Sequence, residues 1–423
     1  MASTHSTFSV LSATQPDFLL NETQVEGVGS RVNSHASLRI LKAPAEFEEI
    51  RNSWLAWSDG RETDPDLFAI RLRHTREAVR PHVMVVYRDG RPDCMLVGWL
   101  GHGEVAFKVG TIKLFRSVGR VLRFVNGGFL GNQSRANSLC LLREILRSLR
   151  TGEAQAVEFS QLRVDSPMYD VARREPRAIC RDLYTPIQNH QYKVMPDSFD
   201  AYFRSLAIKS RMNLKRCAKV LVRDFPGQVC FENIRSERDV ERLARRADEV
   251  AQKNYKHALG IGFVNKPETR EMLHTAAQKG GLRACLLSIG ERPIAFAIGL
   301  LSNKTLHATF TGYDPEFRKY GPGLQALLHM IEDAFEPEGS LLQLDFGCGD
   351  SAYKRSLCDS EWREAPVWIF APSLKGLGLH VRRTISASLH FLAMRLLEND
   401  NVRKVKDMWQ RQAVRRLQCE AEI

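Results

Sequence analysis

A chain of 423 residues has room for two domains of ordinary size, each able to bury its own core. With 43% hydrophobic and 26% charged residues it has a globular composition, and no apolar run approaches the length needed to span a bilayer. The net charge of +12 attracts anions in general, among them cofactor phosphates, acidic lipids, polysaccharide precursors and RNA; it is spread along the chain, so no DNA partner is expected.

Met1 to about Ala36 is rich in Ser, Thr and Asn and reads as a mostly disordered lead-in without a secretory signal, so a cytoplasmic location is expected. Order begins near Leu38, with Leu38 to Leu41 as a first strand. Pro44 opens a helix in which Phe47, Ile50, Trp54 and Trp57 fall at helical spacing, as core residues do. A second helix follows Asp64-Pro65. Val83 to Tyr87 and Met95 to Leu100 flank Arg88-Asp-Gly-Arg91 and form a hairpin, because Asp-Gly supplies the positive φ of a tight turn. A basic stretch of strand character from Phe107 to Phe129, an amphipathic Ser134 to Leu149 and a strand from Ala156 to Leu162 complete an α/β domain over residues 37–190.

The pattern breaks at Gln188 to Ser198, around Pro196, and recurs over residues 195–371. Ser198 caps a helix with the apolar stripe Phe199, Phe203, Leu206, Leu214, Cys217 and Leu221. Val229 to Ile234 is a strand, Ser236-x-x-Asp239 opens a helix carrying Val240, Leu243, Ala247 and Val250, and a short helix follows Pro267. Leu282 to Ile289 and Ile294 to Leu301 make a second hairpin. Both hairpins show a Gly-containing turn, Arg-Pro and an apolar strand ending in Gly, and Asp165-Ser-Pro-Met-Tyr169 is echoed by Asp350-Ser-Ala-Tyr353. These echoes predict an internal duplication of one α/β unit. The tail, residues 372–423, reads as a basic helix with Ile385, Leu389, Leu392 and Leu396 on one side. It either packs across the domains or is offered to a membrane surface or a protein partner.

Nine cysteines, an odd number without Cys-x-x-Cys and without a Cys/His cluster at ligand spacing, point to reduced thiols in packing roles and to no metal. Cys348, between two glycines, is kept open as a nucleophile that would need a partnered His.

The most informative stretch runs from Lys304 to Tyr353. A strand (Thr305 to Tyr313) leads into Arg318-Lys-Tyr-Gly321-Pro-Gly323 and a helix (Leu324 to Phe335), followed by a strand (Leu341 to Phe346) and the loop Gly347-Cys-Gly349-Asp350-Ser-Ala-Tyr353-Lys354. Glycines flanking Pro322 at a helix mouth allow close backbone approach, and free amides at the positive end of the helix dipole favour phosphate. Arg318 could add a bidentate contact. Alone, the motif equally suits an ordinary connection with a Gly-Pro-Gly stop.

In context the segment resembles the pyrophosphate loop of GNAT acyltransferases. The string Tyr313-Asp-Pro-Glu-Phe-Arg-Lys-Tyr-Gly-Pro-Gly323, with Asp345-Phe-Gly-Cys-Gly-Asp350 and Tyr353-Lys354 after it, is similar to the GNAT-like family that includes the cellulose-biosynthesis protein CelD, over roughly residues 195 to 371. The resemblance implies an α/β fold of tandem GNAT-like domains, each a mixed sheet flanked by helices, as in FemABX peptidyltransferases. Only the second copy carries the Arg-x-x-Gly-x-Gly turn; Asn126-Gly-Gly-Phe-Leu-Gly131 lacks a matching Arg, so the first copy would wall the acceptor cleft.

On the same resemblance, acetyl-CoA or another acyl-CoA would bind at Arg318, Tyr320, Gly321 and Gly323 and along Thr311 and Gly312. Amides around Thr309 to Gly312 would polarise the thioester. Tyr353 would protonate the departing thiolate, with a ring merely stacked on its loop as the plainer alternative. Asp345, Asp350 and His307 are candidate bases, although Asp350 equally suits a loop cap and His307 a core position. Lys209, Arg211, Asn213 and Arg216 on a basic helix, with Tyr313 and Lys354, would hold the acceptor or cofactor, unless the helix face is simply solvated. The implied function is direct acyl transfer to the nitrogen or oxygen of a small-molecule or saccharide acceptor, a sugar or amine in envelope or exopolysaccharide synthesis. An aminoacyl-tRNA-dependent transferase of FemABX type and a catalytically inactive binding subunit are the alternatives.

Overall fold

The short apolar runs assemble into one mixed sheet, seen in a computed structural model that describes residues 36–58, 60, 62–109, 112–253, 262–336, 341–349 and 351–397. The expected lead-in and the tail beyond residue 397 lie outside the described residues. The first strands are β1 (Ala36–Leu41), β2 (Ala78–Pro81), β3 (Val83–Arg88), β4 (Arg91–Val109), β5 (Ile112–Gly131), β6 (Ala156–Arg163) and β7 (Gln188–Val194). They are followed by β8 (Val229–Ile234), β9 (Leu282–Ile289), β10 (Arg292–Ser302), β11 (Thr305–Tyr313), β12 (Gln343–Cys348) and β13 (Ser360–Phe370). Their order is β1-β3-β4-β5-β6-β13-β7-β12-β11-β10-β9-β8, with β2 attached to β4.

Read inward from either edge, the pairing is the same. β1, β3, β4 and β5 pair antiparallel and β5 then pairs parallel with β6; β8, β9, β10 and β11 pair antiparallel and β11 then pairs parallel with β12. The two sets exchange their closing strands. β7, which follows the first set, lies against β12, while β13, which follows the second, lies against β6; β7 and β13 pair with each other at the middle. The duplicated unit expected from the hairpin echoes is therefore visible as a repeated pairing pattern. Of the break expected at Gln188 to Ser198, Gln188–Val194 is instead a central strand, and only the residues around Pro196 fall between elements. The strand's polar residues His190, Gln191 and Lys193 are buried, so a polar sequence reads as a linker although the segment is interior.

Helices cover both faces. In the first set, α1 (Arg51–Trp57) and α2 (Pro65–His74) bring Trp54 and Phe68 onto Val83, Val85, Met95 and Val97, while α3 (Arg135–Arg150) brings Leu141, Leu142 and Ile145 onto Leu96, Phe124 and Phe159 on the opposite face. A short helix α4 (Pro167–Arg174) follows β6. The helix expected from Pro44 begins as a 3-10 turn over Pro44–Ile50.

In the second set the helix expected after Ser198 is broken into α5 (Phe199–Ser205) and α6 (Ile208–Asp224), because Leu206 and Ala207 are extended. α7 (Val240–Ala251) and α8 (Pro267–Gln278) pack Leu243, Ala247 and Leu273 on Leu286, Phe296 and Ile298. α9 (Pro322–Ala334) packs Ala326, Leu327 and Met330 on Leu287, Ala297 and Leu344 from the other side. Neighbouring strand residues thus go to opposite cores, as a sheet covered on both faces requires. A short helix α10 (Ala352–Leu357) follows β12, and α11 (Leu374–Leu397) lies against β4, β5 and β13. Its Leu379 joins Val121, Trp368 and Phe370, and its Arg383 pairs with the buried Asp182 at 3.1 Å. No helix among the described residues is long and apolar enough to cross a membrane.

Candidate active site

The glycine turn is set up by the end of β11. Asp314 accepts from the Glu316 amide at 3.1 Å to start a 3-10 turn over Pro315–Tyr320, and its carboxylate is fastened by Lys253 (2.9 Å) and Arg292 (2.7 Å). Gly321 ends that turn in the left-handed region, at φ 59°, which favours glycine. Its amide is already spent on Arg318 O at 3.1 Å, and its carbonyl receives the amides of Leu324 (3.1 Å) and Gln325 (3.2 Å). Pro322 has no amide, so Gly323 is the first-turn donor left to face outward at the positive end of α9. A Cβ on Gly323 would come 3.2 Å from the Tyr313 ring. Arg318 is exposed beside the turn, whereas Tyr320 is buried and donates its hydroxyl to Asp224 at 3.0 Å, tying the turn to the end of α6.

α6 carries the basic constellation. Lys209, Asn213 and Arg216 are exposed, Arg211 is half-buried, and Arg216 donates to Asn213 at 3.0 Å. The helix reaches the glycine turn through Cys217, whose Sγ would be 3.8 Å from a Cβ on Gly321.

β11 and β12 then separate. Their parallel pairing covers only Thr305↔Gln343, Leu306↔Leu344 and His307↔Asp345. Just beyond, β11 bulges against β10: Gly299 pairs with Ala308 and Ile298 with Phe310, so Thr309 has no partner residue. A bulge takes one residue's backbone out of the ladder and turns it aside. Further along, Gly312 is needed for space, since a Cβ there would sit 2.4 Å from the Phe296 ring. Thr311, on the same strand face as Tyr313, hydrogen-bonds the Tyr353 hydroxyl. Tyr353 comes from α10, half-buried, with its ring edge-on to Phe346 at 6.3 Å. Burial pushes its phenol up from the ordinary tyrosine value, against a smaller downward pull from the Thr311 bond.

On the opposite face from Leu306 and Leu344, His307 and Asp345 line a cavity of about 380 Å³ whose far wall comes from the first set: Val125 to Leu130, Phe159 and Gln161. The cavity occupies the place where β5 and β6 part after Phe124↔Phe159. Asp345 accepts from His190 Nε2 (2.7 Å), His307 Nδ1 (2.9 Å) and the Gly347 amide (2.6 Å). The other nitrogen of His190 is 3.2 Å from Glu364 Oε1 and 3.6 Å from Cys348 Sγ, and Trp362 stacks on the imidazole at 4.1 Å.

Burial alone would lower the His190 pKa, but its bonds to Asp345, Cys348 and Glu364 outweigh that and raise it to about 11. Burial likewise disfavours the Asp345 carboxylate, yet the two histidines hold it far below the usual carboxylate range. A buried imidazolium between two carboxylates results. Asp345 so held is a feeble base and a strong orienting group for His307. Burial also pushes the Cys348 thiol up, against a smaller lowering by His190, which is already protonated and so cannot serve as its activating base.

Of the other expected residues, Lys354 is buried and gives its ammonium to the carbonyls of Gly347 (3.1 Å) and Cys348 (2.9 Å), pinning the loop after β12. Asp350 lies outside the described residues. Sequence reasoning missed His190, on a strand read as a break in the pattern, and Trp362 and Glu364, on β13, a strand given no reading of its own.

Residues 209–355 match the family model of the acetyltransferase (GNAT) domain. Among solved structures, the chain is similar to a conserved protein of unknown function from Bacteroides thetaiotaomicron, at 13% identity over 78% of this chain and 100% of that one, with a TM-score of 0.50. It is also similar to FemX, at 10% identity over 75% of this chain and 95% of that one, with a TM-score of 0.51. These likenesses carry the fold. No curated protein sequence matches. The matched stretch contains the glycine turn, the bulge and Tyr353, so the chain carries a GNAT-type acetyltransferase domain over those residues.

Proposed function

We propose that the protein transfers an acyl group, acetyl in the first instance, directly from acyl-CoA to an amine or hydroxyl of a small-molecule or saccharide acceptor. The observation that carries this is the parting of β11 and β12 beside Gly323, with Thr309 out of the ladder on β11 and Tyr353, on the helix that follows β12, reaching Thr311. The Gly323 amide and Arg318 would hold the donor's diphosphate at the start of α9. Thr309 would turn its amide to the thioester oxygen. His307, oriented by Asp345 and lining the cavity, would take the proton of the attacking N–H or O–H, and Tyr353 would give its proton to sulfur. One C–N or C–O bond forms, the C–S bond breaks, and both protons have a named holder. Lys209, Arg211 and Arg216 beside the turn fit the anionic part of donor or acceptor, Thr311, Gly312 and Tyr313 the strand beside the thioester. Such a donor implies a cytoplasmic site of action.

A second reading, an aminoacyl-tRNA donor, is favoured by the exposed basic residues of α6 and the fold shared with FemX. Native mass spectrometry of the purified protein separates the two. A retained mass of coenzyme A or an acyl-CoA supports the first; tRNA binding that falls steeply with salt, without affinity for acyl-CoA, overturns it.

A further inference from the structure

The middle of the sheet brings three ligand-type side chains to one point that the transfer scheme does not use. His190 on β7, Cys348 at the end of β12 and Glu364 on β13 offer Nδ1, Sγ and a carboxylate oxygen, all within 4.8 Å of one another. They stand on three adjacent strands, at the seam where the two sets exchange their closing strands. We propose that these three residues form a binding site for one divalent zinc-class metal ion.

The geometry fits that ion. Ligand atoms around a tetrahedral zinc with bonds of 2.0–2.3 Å lie roughly 3.3–3.6 Å apart. His190 Nδ1 is 3.6 Å from Cys348 Sγ and 3.2 Å from Glu364 Oε1, while Glu364 Oε2 is 2.7 Å from Cys348 Sγ, a contact that must open by about one χ adjustment as one carboxylate oxygen takes the ion. Two of the ligands are also aimed by a partner outside the cluster. His190 gives its other nitrogen to Asp345 at 2.7 Å, the carboxylate–histidine–metal arrangement that fixes the tautomer and ring of a ligating histidine. Asp345 is itself anchored by His307 and the Gly347 amide. Trp362 donates to Glu364 Oε1 at 2.5 Å while stacking on His190.

Charge and donor type point the same way. Asp345 and Glu364 are buried, at 8% and 4% exposure, with His190 between them, His307 on Asp345 and the Cys348 thiol on Glu364, so a cation taking the place of the His190 and Cys348 protons keeps the two carboxylates compensated. One nitrogen, one sulfur and one carboxylate suit zinc-class ions rather than magnesium or calcium, which prefer all-oxygen shells. His190 and Glu364 line the large cavity, which leaves a fourth coordination position open toward it. The ion clips β13, β7 and β12 together and presents that position to whatever enters the cavity. None of this depends on the identity of the acyl donor.

The test uses the full chain, stripped with a chelator, dialysed and titrated with Co²⁺. One equivalent should bind, giving the visible bands of four-coordinate cobalt and a thiolate-to-cobalt charge-transfer band, both erased by added Zn²⁺, which also raises the thermal midpoint. Cys348→Ser should lose the charge-transfer band and weaken binding at least about a hundredfold, while Cys358→Ser, a thiol that bonds Lys354 O on its own helix, keeps both. Circular dichroism checks that each variant is folded. If stripped wild-type protein binds no stoichiometric cobalt, or if the charge-transfer band survives Cys348→Ser in folded protein, the site is refuted.

Discussion

Tyr353→Phe deletes one hydroxyl and leaves the ring in place against Phe346. In the folded protein that hydroxyl has the Thr311 side chain as its partner. Losing such a bond costs about 1 kcal/mol of stability, too little to unfold a domain of this size. Losing a general acid costs about 10²- to 10⁴-fold in rate, or roughly 3–5 kcal/mol of transition-state stabilisation. The variant should therefore melt within a few degrees of wild type, keep its KM for acyl-CoA and lose kcat in a thiol-release assay. The pH profile adds a second readout. Burial raises the Tyr353 pKa above its ordinary value of about 10. The acid thus stays protonated and active to beyond pH 10, and kcat falls as the pH rises through that raised value. The linked stability has the same sign: it is fully present below about pH 10 and is lost as the pH climbs through the folded-state value, because the unfolded chain releases that proton first. Both alkaline effects should vanish in Tyr353→Phe. A kcat within about threefold of wild type, or an unchanged alkaline limb, would refute the assignment of Tyr353 as the acid.

Asp345→Asn removes the charged acceptor of three hydrogen bonds and leaves two histidines facing an amide; it should cost about 3–5 kcal/mol, read as a lowered urea midpoint. An unmoved midpoint would contradict the buried ion-pair account. Gly321→Ala forces a side chain into φ 59° at about 1–2 kcal/mol, while its Cβ meets Cys217 only at ordinary contact distance. The protein should fold with a lower melting temperature and bind donor more weakly; equal affinity would remove the turn from the donor site. Arg383→Leu strips the ion-pair partner from the fully buried Asp182, leaving it the Tyr184 amide, and should loosen α11, read as faster amide exchange over residues 374–397, with unchanged exchange as the contrary result.

What the sequence made legible was local. Asp89-Gly90, with φ of 49° and 76°, and Gly290, with φ of 55°, mark both hairpins because positive φ is a property of a few adjacent residues. The Gly321 turn and its helix were visible for the same reason. The exchange of closing strands was not, because β7 is polar and buried: its His190 and Lys193 are satisfied by Asp345 and Asp359, partners more than 150 residues away. The His190, Cys348 and Glu364 cluster was hidden likewise, since its members converge only when β13, β7 and β12 pair, and linear ligand spacing is blind to that. The break between α5 and α6 carries neither Gly nor Pro, so its apolar stripe reads straight through. Only one amide beside Pro322 is left unspent, fewer than the motif implies, because the carbonyl of Gly321 collects two of them.

Calorimetric titration of acetyl-CoA into the full chain, set beside the Arg318→Ala/Gly323→Val double variant, puts the proposed donor site to its plainest trial. One molecule should bind per wild-type chain, and the heat should disappear in a double variant that still melts cooperatively. Equal affinity in the two proteins, or no binding to either, would contradict the assignment of the α9 turn as the donor's diphosphate site.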